Sequence, residues 1–415
     1  MKIGILGAGI SGLSVARLLQ DKFEVQVFEK KSTPGGIART REVDGISYHL
    51  TGGHCFNSKF PEVLDFVFDD ILPKDEWNQI TRNAKIKFKG ELISYPIEFS
   101  IKEIAKFDID LAQKMVRDFL NTNDDSEAAN NLEDWFRRKF GDTLAEAYFI
   151  PYNRKIWNMD VKTMSPEWVE GKLPIPDKKV FFKSLFSAEN DKMPHSTFFY
   201  PVSNNQNTFI DNLAKGLNIK YDFEISSIEK SASGNKWVLN SESEFDIIIN
   251  TLPLNILPLL YRNCSHKIIE SASKLKYNKV TTMLWETEYT DATWTYLPSE
   301  ESIFHRYIHI GNFFSPKRNI TITESVGEKS YDEMLLNGKK DSYLLKPIDY
   351  HVSDHAYVVF DENHFKYKAQ ILEYFAEEKI YNLGRFAEWE YYNMDVCIAQ
   401  SIKMAQLLKS QYKNK

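Results

Sequence analysis

The first thirty residues constrain the fold more than any other part of the sequence. Residues 2–6 form a short apolar run typical of a buried parallel strand, and the glycine-rich turn Gly7-Ala8-Gly9-Ile10-Ser11-Gly12 follows it directly. Apolar spacing then predicts a helix over residues 10–20, and residues 24–28 predict a second strand. A GxGxxG turn between strand and helix is typical of a βαβ unit that binds a dinucleotide.

Each glycine of this turn has a physical reason. Gly7 permits the tight turn, Gly9 lets a pyrophosphate approach the backbone, and Gly12 lets the helix pack close to the strand. The free N–H groups and positive dipole end of the helix then favour the phosphates. Glu29 ends the second strand, where a carboxylate bonds a ribose hydroxyl and repels a 2′-phosphate. We therefore expect a Rossmann-like nucleotide domain.

Composition narrows the class of protein. The chain has 415 residues, 43% hydrophobic and 27% charged, which predicts a globular protein with more than one domain. A net charge of −6 without a dense basic run argues against nucleic acid as a partner. The apolar stretch 247–261 contains two prolines and is too short to span a membrane, so we interpret it as a buried strand and a short helix.

The cysteines indicate the compartment. Cys55, Cys264 and Cys397 are far apart in sequence and lack the spacing of a zinc site or a disulfide framework. We therefore predict no metal site and a reducing, cytoplasmic location. No signal peptide is predicted, because the chain opens directly into the first strand.

Patterns along the chain predict an α/β protein in which a discontinuous Rossmann-like cofactor-binding domain carries an inserted helical domain and an antiparallel β-sheet domain. Residues 85–95 alternate like a hairpin turning at Lys89-Gly90, and residues 61–73 and most of 100–190 have helical spacing. Strands are expected at 224–228, 236–239 and 379–383, and a last helix at 394–408. The predicted domains are 1–60, 200–255 and 376–415 for the dinucleotide cofactor, 100–190 for the helices, and 61–99 with 256–375 for the substrate sheet.

The segment after Glu29 resembles the extended FAD fingerprint of the amine-oxidase and glutathione-reductase group. In that fingerprint two glycines follow the acidic residue closely, here Gly35 and Gly36, and an arginine that contacts the FAD phosphates follows them, here Arg39. The resemblance implies FAD rather than NAD as the cofactor.

Four further segments resemble the UDP-galactopyranose mutase family, in the family's order and across most of the chain. They are YHLTGGH ending at His54, PYNRKIW at 151–157, WTYLP with FHR and FSP between 294 and 316, and GRF with Trp389 and Tyr391. Taken singly, the histidine, the tryptophans and the tyrosines fit a protein core equally well.

The resemblance implies roles for particular residues. It places His54 at the flavin face and makes Arg306 the cation on the substrate diphosphate, so both are the predicted catalytic residues. The substrate is expected to contact Tyr95, Trp157, Tyr296, Arg306, Tyr357 and Tyr391. The cofactor is expected to contact Gly7, Gly9, Ser11, Gly12, Glu29, Lys30, Gly36, Arg39, His54, Ile225, Arg385 and Asp395.

Three departures from the family pattern concern the substrate. The arginine that precedes PYN in fungal members is Ile150, the family's YPFQ-like segment on the uridine side is here YPIE, ending at Glu98, and the usual Gly-Gly after the tyrosine–proline strand is Asn204-Asn205. The identity of the nucleotide and of the sugar stays open at this point.

The resemblance implies a flavin-dependent isomerase that interconverts pyranose and furanose forms of a nucleotide sugar, with reduced FAD as nucleophile. NAD(P)H or another reductant would supply the electrons once, because the reaction has no net oxidation. The alternatives are a flavin oxidase or desaturase of the amine-oxidase or protoporphyrinogen-oxidase type, and a catalytically idle FAD-binding homologue. An amine or porphyrin has no diphosphate to occupy the arginine and tyrosine set.

Overall fold

The computed structural model describes residues 1–122, 128–167, 169, 173, 175, 177–186 and 197–413. Its strands are β1 Lys2–Leu6, β2 Glu24–Phe28, β3 Thr40–Val43, β4 Ile46–His49, β5 Trp77–Thr81, β6 Ala84–Phe88, β7 Glu91–Ser94, β8 Thr197–Pro201, β9 Ile219–Lys220, β10 Ile228–Lys230, β11 Trp237–Leu239, β12 Ser243–Phe245, β13 Ile247–Asn250, β14 Tyr277–Thr287, β15 Trp294–Tyr296, β16 Arg306–Ile308, β17 Ile320–Val326, β18 Leu344–Val358 and β19 Ile380–Asn382. Its helices are α1 Ile10–Leu19, α2 Pro61–Asp65, α3 Ile101–Ile104, α4 Ile109–Leu120, α5 Leu132–Phe140, α6 Asp142–Leu144, α7 Ile150–Trp157, α8 Lys178–Phe186, α9 Asn207–Ala214, α10 Leu257–Leu260, α11 His266–Ser273, α12 Tyr331–Gly338, α13 His364–Glu377 and α14 Met394–Gln411.

A five-stranded parallel sheet carries the glycine-rich turn. Its strand order is β19-β13-β1-β2-β9, and α1 crosses from β1 to the neighbouring β2. Ile3 and Ile5 of β1, Val27 of β2 and Ile249 of β13 are fully or almost fully buried in the core that this sheet shares with α1 and α14. The βαβ prediction and the Rossmann-like class are confirmed, and the apolar stretch 247–261 is the strand β13 followed by α10.

A seven-stranded sheet forms the second layer. Its order is β18-β14-β17-β16-β15-β6-β7, and its pairs are antiparallel apart from the parallel pair β15 and β6. β6 and β7 are the predicted hairpin. Lys89 and Gly90 both have positive φ, 51° and 90°, which is the conformation that a two-residue hairpin turn requires.

Helices α3–α8 lie between β7 and β8 in the sequence, within the residues whose spacing predicts helices. Asp108 and Asn131 cap α4 and α5 with their side chains, which accept from the N–H groups of Leu111 and Asp134. Apolar faces of these helices pack together around Phe136, whose ring stacks on that of Phe149 at 5.2 Å.

The strand predicted at 224–228 is wrong over most of its length, since β10 begins only at Ile228. The side chain of Asn240 explains the difference. Its oxygen accepts from the N–H groups of Ser226 and Ser227, and its amide donates to the carbonyl of Glu224 at 2.9 Å. These backbone groups are therefore satisfied without a strand partner.

Over the described part of the chain, no helix is long and apolar enough to cross a membrane. The same residues contain no group of three or more histidine, cysteine or acidic side chains that could hold a metal ion. Cys55, Cys264 and Cys397 are free thiols.

Candidate active site

The glycine-rich turn is closed by backbone contacts that leave no room for a side chain at Gly12. Gly7 has φ +104°, and its N–H donates to the carbonyl of Phe28 at 2.8 Å. A Cβ on Gly12 would lie 2.0 Å from the carbonyl oxygen of Gly7. Only glycine at position 12 therefore allows α1 to start this close to β1.

Glu29 holds the same turn from the side of β2. Its buried carboxylate accepts from the N–H groups of Ala8 at 3.0 Å and of Lys31 at 2.9 Å. Each carboxylate oxygen can accept a second hydrogen bond, so a ribose hydroxyl still has an acceptor here.

The second glycine pair lies against the first turn. The N–H of Gly35 donates to the carbonyl of Ala8 at 2.8 Å, and a Cβ on Gly36 would lie 3.2 Å from Cα of Gly9. Arg39 follows, and its Nε is buried without a hydrogen-bond partner in the described structure. Burial lowers the pKa of Arg39, although the charge of Glu29 opposes this. A guanidinium in this position fits a phosphate ligand.

The C-terminal part of the chain returns to the start of α1. Gly384 has φ +97°, and a Cβ there would lie 2.2 Å from Oγ of Ser11. Asp395 lies in the first turn of α14, which packs on α1, and Ile225 is buried near the end of β2. Lys30 is exposed just beyond β2. The structure thus brings most of the predicted cofactor residues to one end of α1.

The segment that ends at His54 begins with the last two residues of β4 and continues beyond that strand. The Nε2 atom of His54 is buried without a partner among the described residues, and its ring lies 5.9 Å from that of His49. Burial, followed by the charges of Arg385 and Arg306, lowers the pKa of His54 to about 4. The imidazole is therefore neutral at pH 7.

Arg306 lies at the start of β16, directly opposite Glu324 on β17. Its Nε donates to the carboxylate of Glu324, and its Nη2 donates to the hydroxyl of Tyr357 at 2.8 Å. Tyr357 donates in turn to the other oxygen of Glu324 at 3.1 Å. Although burial opposes it, the charge of Arg306 lowers the pKa of Glu324, so the carboxylate stays ionised.

Aromatic rings connect this ion pair to Arg385. The rings of Tyr357 and Tyr391 are stacked, with centroids 6.0 Å apart. The centroid of the Trp157 ring lies 6.1 Å from that of Tyr357, in an edge-to-face arrangement. The guanidinium of Arg385 lies 4.4 Å from the ring centroid of Tyr391, and its Nη2 donates to the carbonyl of Ala356 at 2.7 Å. Three predicted substrate residues thus form one cluster with the predicted cofactor residue Arg385.

Tyr95 and Tyr296 form a second aromatic group, with ring centroids 5.0 Å apart. Tyr152, from the PYN segment, lies 5.8 Å from Tyr296. Burial raises the pKa of Tyr152 well above its ordinary value, and Tyr296 and Arg306 are close enough to influence its charge. Tyr152 therefore links the two aromatic groups.

Three site residues were not predicted. Glu324 lies in the strand ITITESV, which is buried along its whole length, so its carboxylate needs a paired cation; the alternation of polar and apolar residues in this strand gives no sign of that burial. Tyr152 lies in the segment 151–157, for which the resemblance implies a role for Trp157 but none for the tyrosine. Arg82 lies between β5 and β6, and its Nη2 donates to the hydroxyl of Tyr296 at 2.7 Å; as an isolated arginine in the sequence it gives no signal of this contact.

Known proteins resemble this chain in its N-terminal part and along its whole length. The family model described as an NAD(P)-binding Rossmann-like domain matches residues 5–69. The dTDP-fucopyranose mutase of Escherichia coli is 22% identical over 419 residues, covering 98% of each chain. The UDP-galactopyranose mutase of Mycoplasma genitalium is 22% identical over 421 residues, covering 98% of this chain and 94% of the relative. The resemblance to the mutases is confirmed.

A solved structure shares the fold. The crystal structure of reduced UDP-galactopyranose mutase superposes with a TM-score of 0.86 at 21% identity, covering 99% of this chain and 96% of that one. The α/β architecture, with its Rossmann-like sheet and its second sheet, is therefore that of the mutases over the whole length.

Proposed function

We propose that this protein is a flavin-dependent nucleotide-sugar mutase that interconverts pyranose and furanose forms, with FAD as its cofactor. Two relatives that match nearly the whole of this chain are named as mutases, which favours this function over the oxidase or desaturase alternative. UDP-galactose and dTDP-fucose are the two substrates that those names suggest for a first test. A cytoplasmic location and a reductant of the NAD(P)H class belong to the same proposal.

One observation carries the proposal, and it is the continuous path of contacts from the dinucleotide turn to Arg306. Gly384 lies on Ser11, and the next residue, Arg385, places its guanidinium on Tyr391. Tyr391 stacks on Tyr357, which accepts a hydrogen bond from Arg306. A cofactor bound at the turn and a substrate bound beside Arg306 would therefore meet.

The residues at the turn fit FAD. The close approach of Gly9 and Gly36, the carboxylate of Glu29 and the unpartnered Nε of Arg39 suit a pyrophosphate and a ribose. His54 and Arg385 each have a buried ring or guanidinium nitrogen without a partner in the described structure, as expected beside a missing polar group. When bound and reduced, FAD supplies the nucleophile for the anomeric carbon.

The chain's own residues bind and stabilise charge. The bond between the anomeric carbon and the diphosphate breaks and later re-forms, so negative charge develops on the leaving phosphate oxygen. Arg306 and the hydroxyl of Tyr357 are held in place by Glu324 and can donate to that oxygen. Neutral His54 adds no competing charge, and the buried rings around Trp157 exclude water from the site.

The proposal is tested with photoreduced holoenzyme and two substrates, UDP-galactopyranose and dTDP-fucopyranose. The expected result is conversion of at least one to its furanose form, detected by chromatography and proton NMR. The purified protein should be yellow and should release FAD, identified by mass, when heated. Reduced holoenzyme that binds either nucleotide sugar without forming furanose would contradict the mutase function, and protein that cannot be loaded with FAD would contradict the cofactor.

A further inference from the structure

Arg82 is a cation in an aromatic environment without a protein counter-charge. Its guanidinium lies 4.9 Å from the ring centroid of Trp294 and 5.9 Å from that of Tyr95, and its Nη2 donates to the hydroxyl of Tyr296 at 2.7 Å. Its Nε is buried and has no hydrogen-bond partner. Among the residues that the structure describes, no carboxylate lies within 4.0 Å of Arg82.

This arrangement contrasts with that of Arg306, whose charge is balanced by the buried Glu324. A partly buried guanidinium that meets only rings and a hydroxyl has lost part of its hydration, and an anion would offset this cost. Stacking on Trp294 offsets part of that cost and holds the guanidinium plane in place. The unpartnered Nε then marks the direction in which an acceptor is missing.

Arg82 and Arg306 both lie close to the loop that carries His54. A Cβ on Gly52 would lie 2.9 Å from Nη2 of Arg306, and one on Gly53 would lie 3.4 Å from Nε1 of Trp294, the ring that carries Arg82. Burial raises the pKa of the next thiol, Cys55, to about 11, against the opposing charges of Arg82 and Arg306. Both guanidinium groups are thus close enough to this loop to act on one ligand.

We propose that Arg82 is the second cation of the substrate site and binds an oxygen of the substrate diphosphate. The inference rests on the proposed mutase function and identifies a residue for the diphosphate of its substrate.

The test is calorimetric titration of the holoenzyme with UDP, dTDP, uridine and thymidine. Arg82→Ala is expected to weaken binding of UDP or dTDP by about 10- to 100-fold, as for loss of a charge-assisted contact. Arg82→Lys should recover part of the affinity, because a point charge keeps the attraction but not the fork geometry. Nucleoside affinity and the flavin absorbance spectrum should not change. Arg318→Ala removes an exposed arginine and is the matched control.

Two results would overturn the assignment of Arg82 while leaving the mutase function intact. One is unchanged UDP and dTDP affinity in Arg82→Ala, and the other is an equal loss for nucleosides, which would indicate a structural role. If the alanine variant does not fold, Arg82→Gln and Arg82→Lys decide by the same comparison. Wild-type holoenzyme that binds no nucleoside diphosphate would instead contradict the proposed function itself.

Discussion

Arg306 and Glu324 face each other across β16 and β17, and the carboxylate of Glu324 accepts from Nε of Arg306 and from the hydroxyl of Tyr357. The ion pair holds the guanidinium of Arg306 in place among buried aromatic side chains. Glu324 is fully buried, so its charge depends on Arg306 for compensation. The arginine proposed to bind diphosphate therefore also stabilises the fold.

Arg306→Ala should affect both binding and stability. Loss of a charge-assisted contact worth roughly 1.5–3 kcal/mol should weaken UDP binding or turnover by about 10- to 150-fold. From the sequence alone we expect the fold to be nearly unaffected, and the pairing with Glu324 corrects this expectation. Leaving Glu324 unpaired should lower the free energy of unfolding by about 3–5 kcal/mol.

The double variant Arg306→Ala/Glu324→Gln separates the two effects. It should recover much of the stability in thermal unfolding, because no buried charge is left unpaired, while UDP affinity stays low. A double variant that regains wild-type UDP affinity would show that Arg306 serves only to neutralise Glu324.

Gly9 and Gly12 provide a matched test of the cofactor site. A Cβ on Gly9 has only Cα of Gly36 nearby, at 3.9 Å, so Gly9→Ala should fold normally and yet lose FAD, because the methyl group occupies the space for the pyrophosphate. Gly12→Ala should also lose stability, since its Cβ would lie 2.0 Å from the carbonyl of Gly7. Flavin content and melting temperature measure the two effects. A Gly9→Ala protein with full FAD content would place the phosphates elsewhere.

Glu98 should make stability depend on pH. It is buried next to the Tyr95–Tyr296 pair, and burial raises its pKa to about 7. Because the folded protein binds the proton more tightly than the unfolded chain, this contribution to stability is complete below about pH 4.5 and is lost as the pH rises through 7. Glu98→Gln should therefore stabilise the protein by about 1–3 kcal/mol at pH 8 and have little effect at pH 4.5. Denaturant unfolding at both values tests this, with the exposed Glu91→Gln as control.

His54 should stay neutral throughout the neutral range. Burial and the charges of Arg385 and Arg306 lower its pKa to about 4, so its stabilising effect is complete above its ordinary pKa of 6.5 and is lost as the pH falls toward 4. Nitrogen NMR of labelled histidine, assigned with His54→Gln, should show no protonation of His54 between pH 5.5 and 8. A titration midpoint near 6.5 would mean that the ring is exposed or paired with an acid.

Local patterns determined how much could be predicted. The glycine-rich turn and the Lys89-Gly90 hairpin depend on spacing within a few residues, and the structure confirms both. Glu29 lies beside that turn, and its contact with a ribose stays a prediction. Glu324 and Arg82 come into the site through sheet register and a link between two strands, which no local pattern records. The strand predicted at 224–228 does not form over most of its length, because the side chain of Asn240 bonds the backbone groups of Ser226 and Glu224 that a strand partner would otherwise bond.

The central claim is an isomerisation that needs reduced flavin and consumes no reductant. The most direct test follows furanose formation by the dithionite-reduced holoenzyme, anaerobically, with two electrons supplied per flavin and excess UDP-galactopyranose or dTDP-fucopyranose. The account predicts many turnovers for each flavin reduced, and no activity in the oxidised enzyme. A reduced enzyme that forms no furanose, together with an aerobic reaction that oxidises the substrate by two electrons with uptake of one oxygen and release of one hydrogen peroxide per product, would contradict the account and identify an oxidase.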